Sequence, residues 1–524
     1  MRTRTRPPHS IVRRRLLPAL LTIAFALIGT LALAQGGTLR VGTSVEPPTL
    51  DPQRDAGGPA SQIQENIFET LVAFDNEMNL VPALAEEWEV SDDGLTYTFA
   101  LRQGVRFHDG TPFDAEAVRF TFERALGRVD EQASRYETLM TQLDEVEVVD
   151  QHTVAFHLSG TYAPFLNNMA HMGHAILSPD AVQGDGDFGR QPVGTGPFRF
   201  GSWRSGQQIE LVRNDDYWRE PARLDGVVMR FIPDASTRLV SLEAGELDVV
   251  LGVPEADFGR LSDTPGLRTH QADTLRTVFL WFNPSIAPFD DVAVRQAVVS
   301  AVDREGIAAA ILEGLHRPAT RPTFAPGVFG VSETVTPYEF DTEAAALILD
   351  QAGWEPGPDG VRSKDGQRLE FTLYTTQNRY PKDGEIGAYL RSVFSQVLGA
   401  DVDLGTFEWE TYRNNIFARE LGLFLFGAGV STGDLDYVAT IIFHTSSNYN
   451  QVATPVEEEI IEAQTITDPE ERLALYAEIQ EAIAQEYLWL PLYWQSELHA
   501  SSDAVEGFAP HPMEKVNFYG VSLQ

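Results

Sequence analysis

The sequence predicts a mixed α/β protein built from more than one domain, on three observations. Segments with apolar residues at period two keep giving way to segments with apolar residues three and four apart, from Thr38 to the C-terminus. No internal repeat or low-complexity linker interrupts that alternation, so neighbouring domains are expected to be assembled from discontinuous pieces of chain. The length, 524 residues, exceeds what one hydrophobic core holds, since single cores stop growing near roughly 250–300 residues.

The elements follow in order. "TLRVGTSV" (38–45) alternates as a strand and stops at Pro47-Pro48. Residues 62–74 have helical spacing. Trp88 to Val90, the turn Ser91 to Gly94 and Tyr97 to Leu101 form a hairpin, and Asp114 caps a helix that runs to Leu126. Residues 146–158 form a second hairpin turning at Asp150-Gln151-His152. Strands at "GVVMRFIP" and "TVFLWFN" alternate with helices over 235–244 and 292–301. The last third reads helix 342–351, strand 369–375, helix 384–398, strand 400–406, helix 409–418, strand 421–427 and helix 469–486, before the strand "WLPLYWQSELHA".

The first 34 residues hold six arginines, no acid, and an apolar run closing in Ala32-Leu33-Ala34. That pattern predicts an export signal cleaved after Ala34; an uncleaved membrane anchor is the competing reading. Losing this leader moves the net charge from −37 to about −43. So acidic a chain repels phosphate backbones and anionic lipid, which excludes nucleic acid and membrane surfaces as expected partners. Cysteine is absent, so stability is expected from packing alone, with no lipid-bearing Cys to tether the exported, extracytoplasmic protein.

"SDDGLTYTFALRQGVRFHDGTPF" (91–113) poses the question of function. His108-Asp109 has the composition of a catalytic dyad, but Gly104, Gly110 and Pro112 around it are turn residues, which favours scaffold. Gly194-Thr195-Gly196-Pro197 lacks the spacing of a phosphate-binding loop. His171 and His174 stand three apart, a metal-compatible spacing without Cys or a neighbouring acid, so no metal or cofactor is expected.

The segment "LAEEWEVSDDGLTYTFALRQGVRFHDGTPFDAEAVRFTFERAL" resembles the signature of the extracytoplasmic solute-binding proteins of peptide/nickel-type ABC importers, solute-binding protein family 5. The likeness continues at "TLDP" (49–52), "PVGTGPFRF" (192–200), "NDDYW" (214–218), "RLVSLEAGELDV" (238–249), "PFDDVAVRQAVVSAVDREGI" (288–307) and "FDTEAAALILDQAGW" (340–354). It implies an α/β, periplasmic-binding-protein-like class II architecture with three lobes: lobe I from 35–65, 190–283 and 498–524, an inserted lobe II from 66–189, and lobe III from 284–497. The hinge crossings would fall near Phe282-Asn283 and Glu497-Leu498, with ligand held between lobes I and III.

The resemblance also implies a site. Peptide-binding members carry Gly-Trp-x-x-Asp at a strand end, where backbone pairs with the ligand and the Asp holds its ammonium group. Here Gly427 matches, Ala428 and Ser431 replace the Trp and Asp, and Asp434 or Asp436 is the substitute anchor. The opposing backbone is Glu46-Pro47, where Pro47 has no N–H to offer. A carboxylate-clamping Arg is replaced by Gly384 and Glu385, leaving Arg379 and Lys382 nearby. Trp281, Trp409, Phe424, Tyr449, Tyr493 and Trp494, with Asn283 and Asn448, are expected on segments bordering the cleft, and Gly429 beside Ala428. The implied function is capture of an oligopeptide, or alternatively an oligosaccharide, by a monomer that delivers it to permease and ATPase subunits. A receptor-presenting sensory module uses the same fold, and a secreted hydrolase is the reading from another class, though no nucleophile motif supports it.

Overall fold

The computed structural model describes residues 1, 3, 36–129, 134–450 and 453–524; apart from Met1 and Thr3, the expected leader lies outside the described residues. The strands in chain order are β1 (Thr38–Thr43), β2 (Val72–Phe74), β3 (Leu80–Pro82), β4 (Ala85–Val90), β5 (Thr96–Leu101), β6 (Leu143–Asp150), β7 (Thr153–Leu158), β8 (Phe198–Arg204), β9 (Gln208–Arg213), β10 (Gly226–Phe231) and β11 (Val249–Leu251). They continue as β12 (Leu267–Phe282), β13 (Arg317–Pro318), β14 (Glu355–Pro356), β15 (Arg362–Lys364), β16 (Gln367–Arg368), β17 (Glu370–Thr376), β18 (Asp401–Phe407), β19 (Leu423–Gly429), β20 (Trp489–Ser502), β21 (Val505–Glu506) and β22 (Ser522–Leu523).

One sheet runs through both main lobes in the order β18-β17-β19-β12-β20-β11-β1-β10-β9-β8. Its long antiparallel pair, β12 and β20, belongs to both halves. Leu267 to Asp273 pairs with Ser496 to Ser502, the register shifts, and Thr277 to Trp281 then pairs with Trp489 to Trp494. A bulge bends and twists a strand pair, so the break sits where two half-sheets can turn relative to one another.

Each part has its own buried core. Leu39, Val41, Phe198, Val227 and Phe518 lie under the β1 side. Phe99, Val118, Phe122 and Phe156 pack between the helix Ala115–Ala125 and the sheet β4-β5-β7-β6. The far half-sheet is covered on one face by a core with Leu280, Leu373 and Leu390, and on the other by Phe279, Trp281, Phe424 and Trp489. On these cores we propose the three-lobe division with the first crossing at Asp273–Thr277. Val278, Leu280 and Phe282 already sit in the lobe III core beside Phe289, so Phe282-Asn283 lies at the far end of a lobe III strand.

Most elements match their patterns. Asp114 accepts from the backbone N–H groups of Glu116 and Ala117, as an N-cap should. The helix read over 62–74 is a correction: it spans Gly58–Gln64, and Val72–Phe74 is strand. Asn66 ends it by turning its amide onto the Gln62 and Val516 carbonyls, and Glu69 is drawn out to three donors, Thr195 Oγ1, Tyr217 OH and Trp218 Nε1.

The motif-rich segments are therefore fastenings between lobes I and II. Asp51 of "TLDP" forms a buried pair with Arg124 at 2.7 Å. His108 accepts from Gly194 N at Nδ1 and donates from Nε2 to Gly196 O, and burial pushes its pKa down to about 4. Asp109 is spent on Ser178 and Thr111. His171 and His174 are buried, with Gly173 N donating to His171 Nδ1 and His174 Nδ1 donating to Asn168 O. No helix among the described residues is long and apolar enough to cross a membrane.

Candidate functional site

Open α/β sheets present their loops at the carboxyl ends of parallel strands, and ligands are commonly met there. In lobe III that edge is formed by β17, β18 and β19, with β17 parallel to both neighbours. The loop after β17 is built on Asp383, which is 1% exposed. Its carboxylate accepts from Thr376 Oγ1 and from the backbone N–H groups of Arg379 and Tyr380. Asn378 and Lys382 hold left-handed backbone on either side (φ 59° and 52°), a conformation that costs energy in non-glycine residues.

This loop sends Tyr380 inward and Arg379 outward. Tyr380 donates from its hydroxyl to Gly427 O at 3.3 Å, and its ring occupies the space where a side chain on residue 427 would be: a Cβ there would meet Cε1 at 2.5 Å. Gly427 is thus set by Tyr380. Arg379 is exposed, with its guanidinium 4.8 Å from the centre of the Trp409 ring.

Beside them Arg276 projects from the hinge strand over Gly429, where an added Cβ would lie 3.0 Å from its Nη2. It grips Glu514 with both forks, Nε–Oε1 2.6 Å and Nη2–Oε2 2.7 Å, and donates to Gly427 O. Burial pushes the Glu514 carboxyl up, but Arg276 outweighs it and holds the group below its usual range; the charge of Arg379 adds to the effect. The pair joins the C-terminal segment to the β12–β19 edge.

Next to this cluster a cavity of about 370 Å³ opens between the half-sheets, within the size range of small-ligand sites. Thr43, Ser44 and Val45 line it from one side, Gln495 to His499 from the hinge, and Glu255, His316 and Pro381 from the rest. His316 accepts from Ser496 N at 2.9 Å and faces Glu255 at 3.2 Å. Burial pushes Glu255 up, and the hydrogen bond from His316 helps to bring it below the usual range.

Several expected contacts lie elsewhere. Glu46 turns its carboxylate away, onto Trp203 Nε1, Ser205 Oγ and Gly206 N, with Pro47 buried behind it. Its neighbour Val45 is the residue that reaches the cavity. Trp281 and Phe424 are core, with ring centres 5.4 Å apart. Asn283 is fully buried at the end of β12, where it accepts from Ser285 N and Oγ and shapes a turn. Tyr493 is buried, donating from its hydroxyl to Pro381 O. Trp494 packs with Ala319 and Ala325 under Arg317, and its indole N–H has no hydrogen-bond partner among the described residues.

Both substitute anchors are buried and already hydrogen-bonded. Asp434 forms a buried two-pronged pair with Arg472 (2.7 and 2.9 Å) and caps the helix Leu435–Phe443 through Asp436 N, so its charge is already matched inside the protein. Asp436 is buried, accepting from Gln464 Nε2 at 2.8 Å and from Tyr162 OH of lobe II at 3.4 Å. Burial first, then Asp434, pushes its pKa up to about 6. Ala428 and Gly429 keep their place at the strand tip, paired with Thr277 and Arg276. The half-buried Ser431 beyond them has a hydroxyl with no partner among the described residues. Asn448 is exposed beside Tyr449, which packs on Phe417 and Phe426.

Tyr380, Arg276, Glu514 and Asp383 were missed from sequence. Arg276 alone carried a signal, as a charge inside the apolar run "TLRTVFLWF".

Comparison with known proteins places this geometry. The model for bacterial extracellular solute-binding proteins, family 5 (middle), matches residues 79–450. Heme-binding protein A of Haemophilus influenzae is 30% identical over 487 residues, covering 88% of this chain and 87% of its own. Glutathione-binding protein GsiB of Salmonella paratyphi A is 30% identical over 492 residues, covering 91% and 92%. Among solved structures, the ABC transporter-associated periplasmic binding protein DppA of Helicobacter pylori, in complex with the peptide STSA, superposes with a TM-score of 0.79 at 29% identity. That alignment covers 93% of this chain and 98% of DppA.

Proposed function

The chain belongs to the bacterial extracellular solute-binding proteins of family 5, the solute-binding components of ABC importers, and we propose that its own cargo is a short peptide or peptide-like solute. The cavity between the half-sheets carries this reading, because its walls come from both sides of a bulged hinge and closing that hinge encloses whatever lies between them. A ligand that touches both walls favours the closed state by the difference between its affinities for the two states. The permease and its ATPases would then receive the closed form. The exported, extracytoplasmic location and the absence of catalysis belong to the same reading, with His108 spent on Gly196 of lobe I and Asp109 on Ser178 within lobe II.

The likeness to glutathione-binding protein GsiB and to DppA in complex with the peptide STSA supports a peptide-like cargo. The sugar alternative loses its main argument with Trp281 and Phe424 in the core. Native mass spectrometry of protein purified from a secreting host, before and after denaturing release, tests the reading. Released or added peptides bound one per chain are expected. Glycans bound in their place, with no peptide bound even on addition, overturn it.

A further inference from the structure

We infer that lobes II and III form a latch outside the cavity, made only when the hinge closes, which sets how tightly the cleft holds its solute. This rests on the reading of the cleft as the solute site.

Lobe II is fixed to lobe I. The buried Asp51–Arg124 pair, His108 on Gly194 and Gly196, and Glu69 on Thr195, Tyr217 and Trp218 tie the two together. Lobe III is joined to lobe I through β12 and β20, with the register shift between Asp273 and Thr277 as the turning point. Turning there moves lobe III against lobes I and II together, so the contacts between lobes II and III are made and broken with the cleft.

Those contacts form a matched set. Among the described residues, lobe II supplies three donors and lobe III three acceptors: Ala163 N to Gln464 O at 2.7 Å, Asn167 Nδ2 to Thr432 O at 3.2 Å, and Tyr162 OH to Asp436 Oδ2 at 3.4 Å. Asp436 uses its other oxygen within lobe III, accepting from Gln464 and Thr440, which leaves Oδ2 for a donor across the seam. Asn168 Nδ2 donates to the Tyr162 hydroxyl, so that hydroxyl's own proton is left for Asp436. Apolar side chains cross in both directions: Tyr437 of lobe III packs against the lobe II core, and Met78 of lobe II against the lobe III core. Between them Gly433 holds left-handed backbone (φ 68°), and a Cβ there would lie 3.1 Å from Met78 Cε and 3.3 Å from Phe74 Cζ.

None of these residues lines the cavity. On opening, the donors and acceptors pass to water, so each hydrogen bond is worth little net and the seam can part. Contacts made only in the closed state still raise its share of the population, and the apparent affinity for a solute held there rises with it.

The test is a pulsed electron-resonance distance measurement between nitroxides at Glu89→Cys in lobe II and Glu478→Cys in lobe III, both exposed sites in a chain without cysteine. The probe added is a degenerate tripeptide library. With wild-type lobes a long distance is expected to convert to a short one as the library is titrated. Met78→Ala with Asn167→Ala, which removes one crossing side chain and one donor, should raise the library concentration at half conversion about three- to tenfold, and Tyr162→Phe should raise it less. Half conversion at the wild-type concentration in both variants overturns the latch and leaves the peptide reading standing. A single short distance in every protein without library makes the seam a fixed strut and overturns the latch. Wild-type distances that ignore the library, beside variants that lose short-distance population without it, uphold the latch and overturn the peptide reading. A long distance alone, whatever is added, overturns both.

Discussion

Two loops leave the carboxyl ends of neighbouring strands, one after β17 and one after β19, and they treat charge in opposite ways. After β19, Asp434 and Asp436 are buried, one paired with Arg472 and the other enclosed by Gln464, Thr440 and Tyr162. After β17, the acid is buried and the cation displayed: Asp383 holds the loop from beneath while Arg379 lies exposed against Trp409. A charged side chain reports on function only when it is known whether its hydrogen bonds are already spent. The β19 loop holds the fold and the contact with lobe II, and the β17 loop leaves its cation at the surface.

The largest effect expected from breaking that contrast is at Asp434. Asp434→Asn leaves Arg472 charged, buried and only partly satisfied, and should cost about 3–5 kcal/mol of stability, read as a lower denaturation midpoint. Unchanged stability would mean that the pair contributes little and that the β19 loop is less of a strut than its geometry indicates.

Asp436 gives the next effect, and it depends on pH. Its carboxyl is raised from 3.8 to about 6 by burial and by Asp434, with Arg472 opposing and Tyr162 facing it from lobe II. The folded state therefore binds the proton more tightly than the unfolded chain. The cost of ionising the group is absent below about pH 4, grows between about pH 4 and 6, and is complete above, amounting to about 3 kcal/mol. Asp436→Asn carries no such cost, so its stability relative to wild type should improve as pH rises through that window. Parallel stability profiles from pH 4 to 7 would contradict the assignment.

A smaller loss is expected at the seam with the C-terminal segment. Glu514→Gln removes the charge that faces Arg276 while keeping an acceptor, and should cost about 1–2 kcal/mol, seen as a lower melting temperature. No change would show that Gly427 O and solvent satisfy Arg276 by themselves.

Much of the fold was legible in the sequence because period and caps are local signals. The hairpin β4–β5, the Asp114 cap and the alternation over 342–427 required only neighbouring residues to be read. The helix over 62–74 misled because its end is decided by distant partners, Val516 for Asn66 and Tyr217 with Trp218 for Glu69. The crossing proposed at Asp273–Thr277 is hard to read for a similar reason: a 16-residue strand serves two cores, and the register shifts inside it leave no local mark.

Of the candidate site, local likeness could give positions but not partners. It put Ala428 and Gly429 at the tip of β19 and Arg379 among the nearby cations. It had no means to find that Asp434 is consumed by Arg472, 38 residues later, or that Glu514 returns from the C-terminus to meet Arg276. Aromatic residues were the least informative. Trp281 and Phe424 have the composition of a binding surface and the burial of a core, and only packing separates the two.

Thermal melting of Arg379→Gln and Asp434→Asn side by side, each with and without a saturating free-acid tripeptide mixture, tests the contrast between the two loops most directly. Ligand that binds only the folded state raises its melting temperature. Arg379→Gln is predicted to melt with the wild type when empty and to show a smaller shift with peptide, while Asp434→Asn melts lower when empty and shifts as the wild type does. An Asp434→Asn protein of wild-type stability that loses the shift, beside an Arg379→Gln protein that keeps it, would contradict the account and return the β19 acid to the binding site.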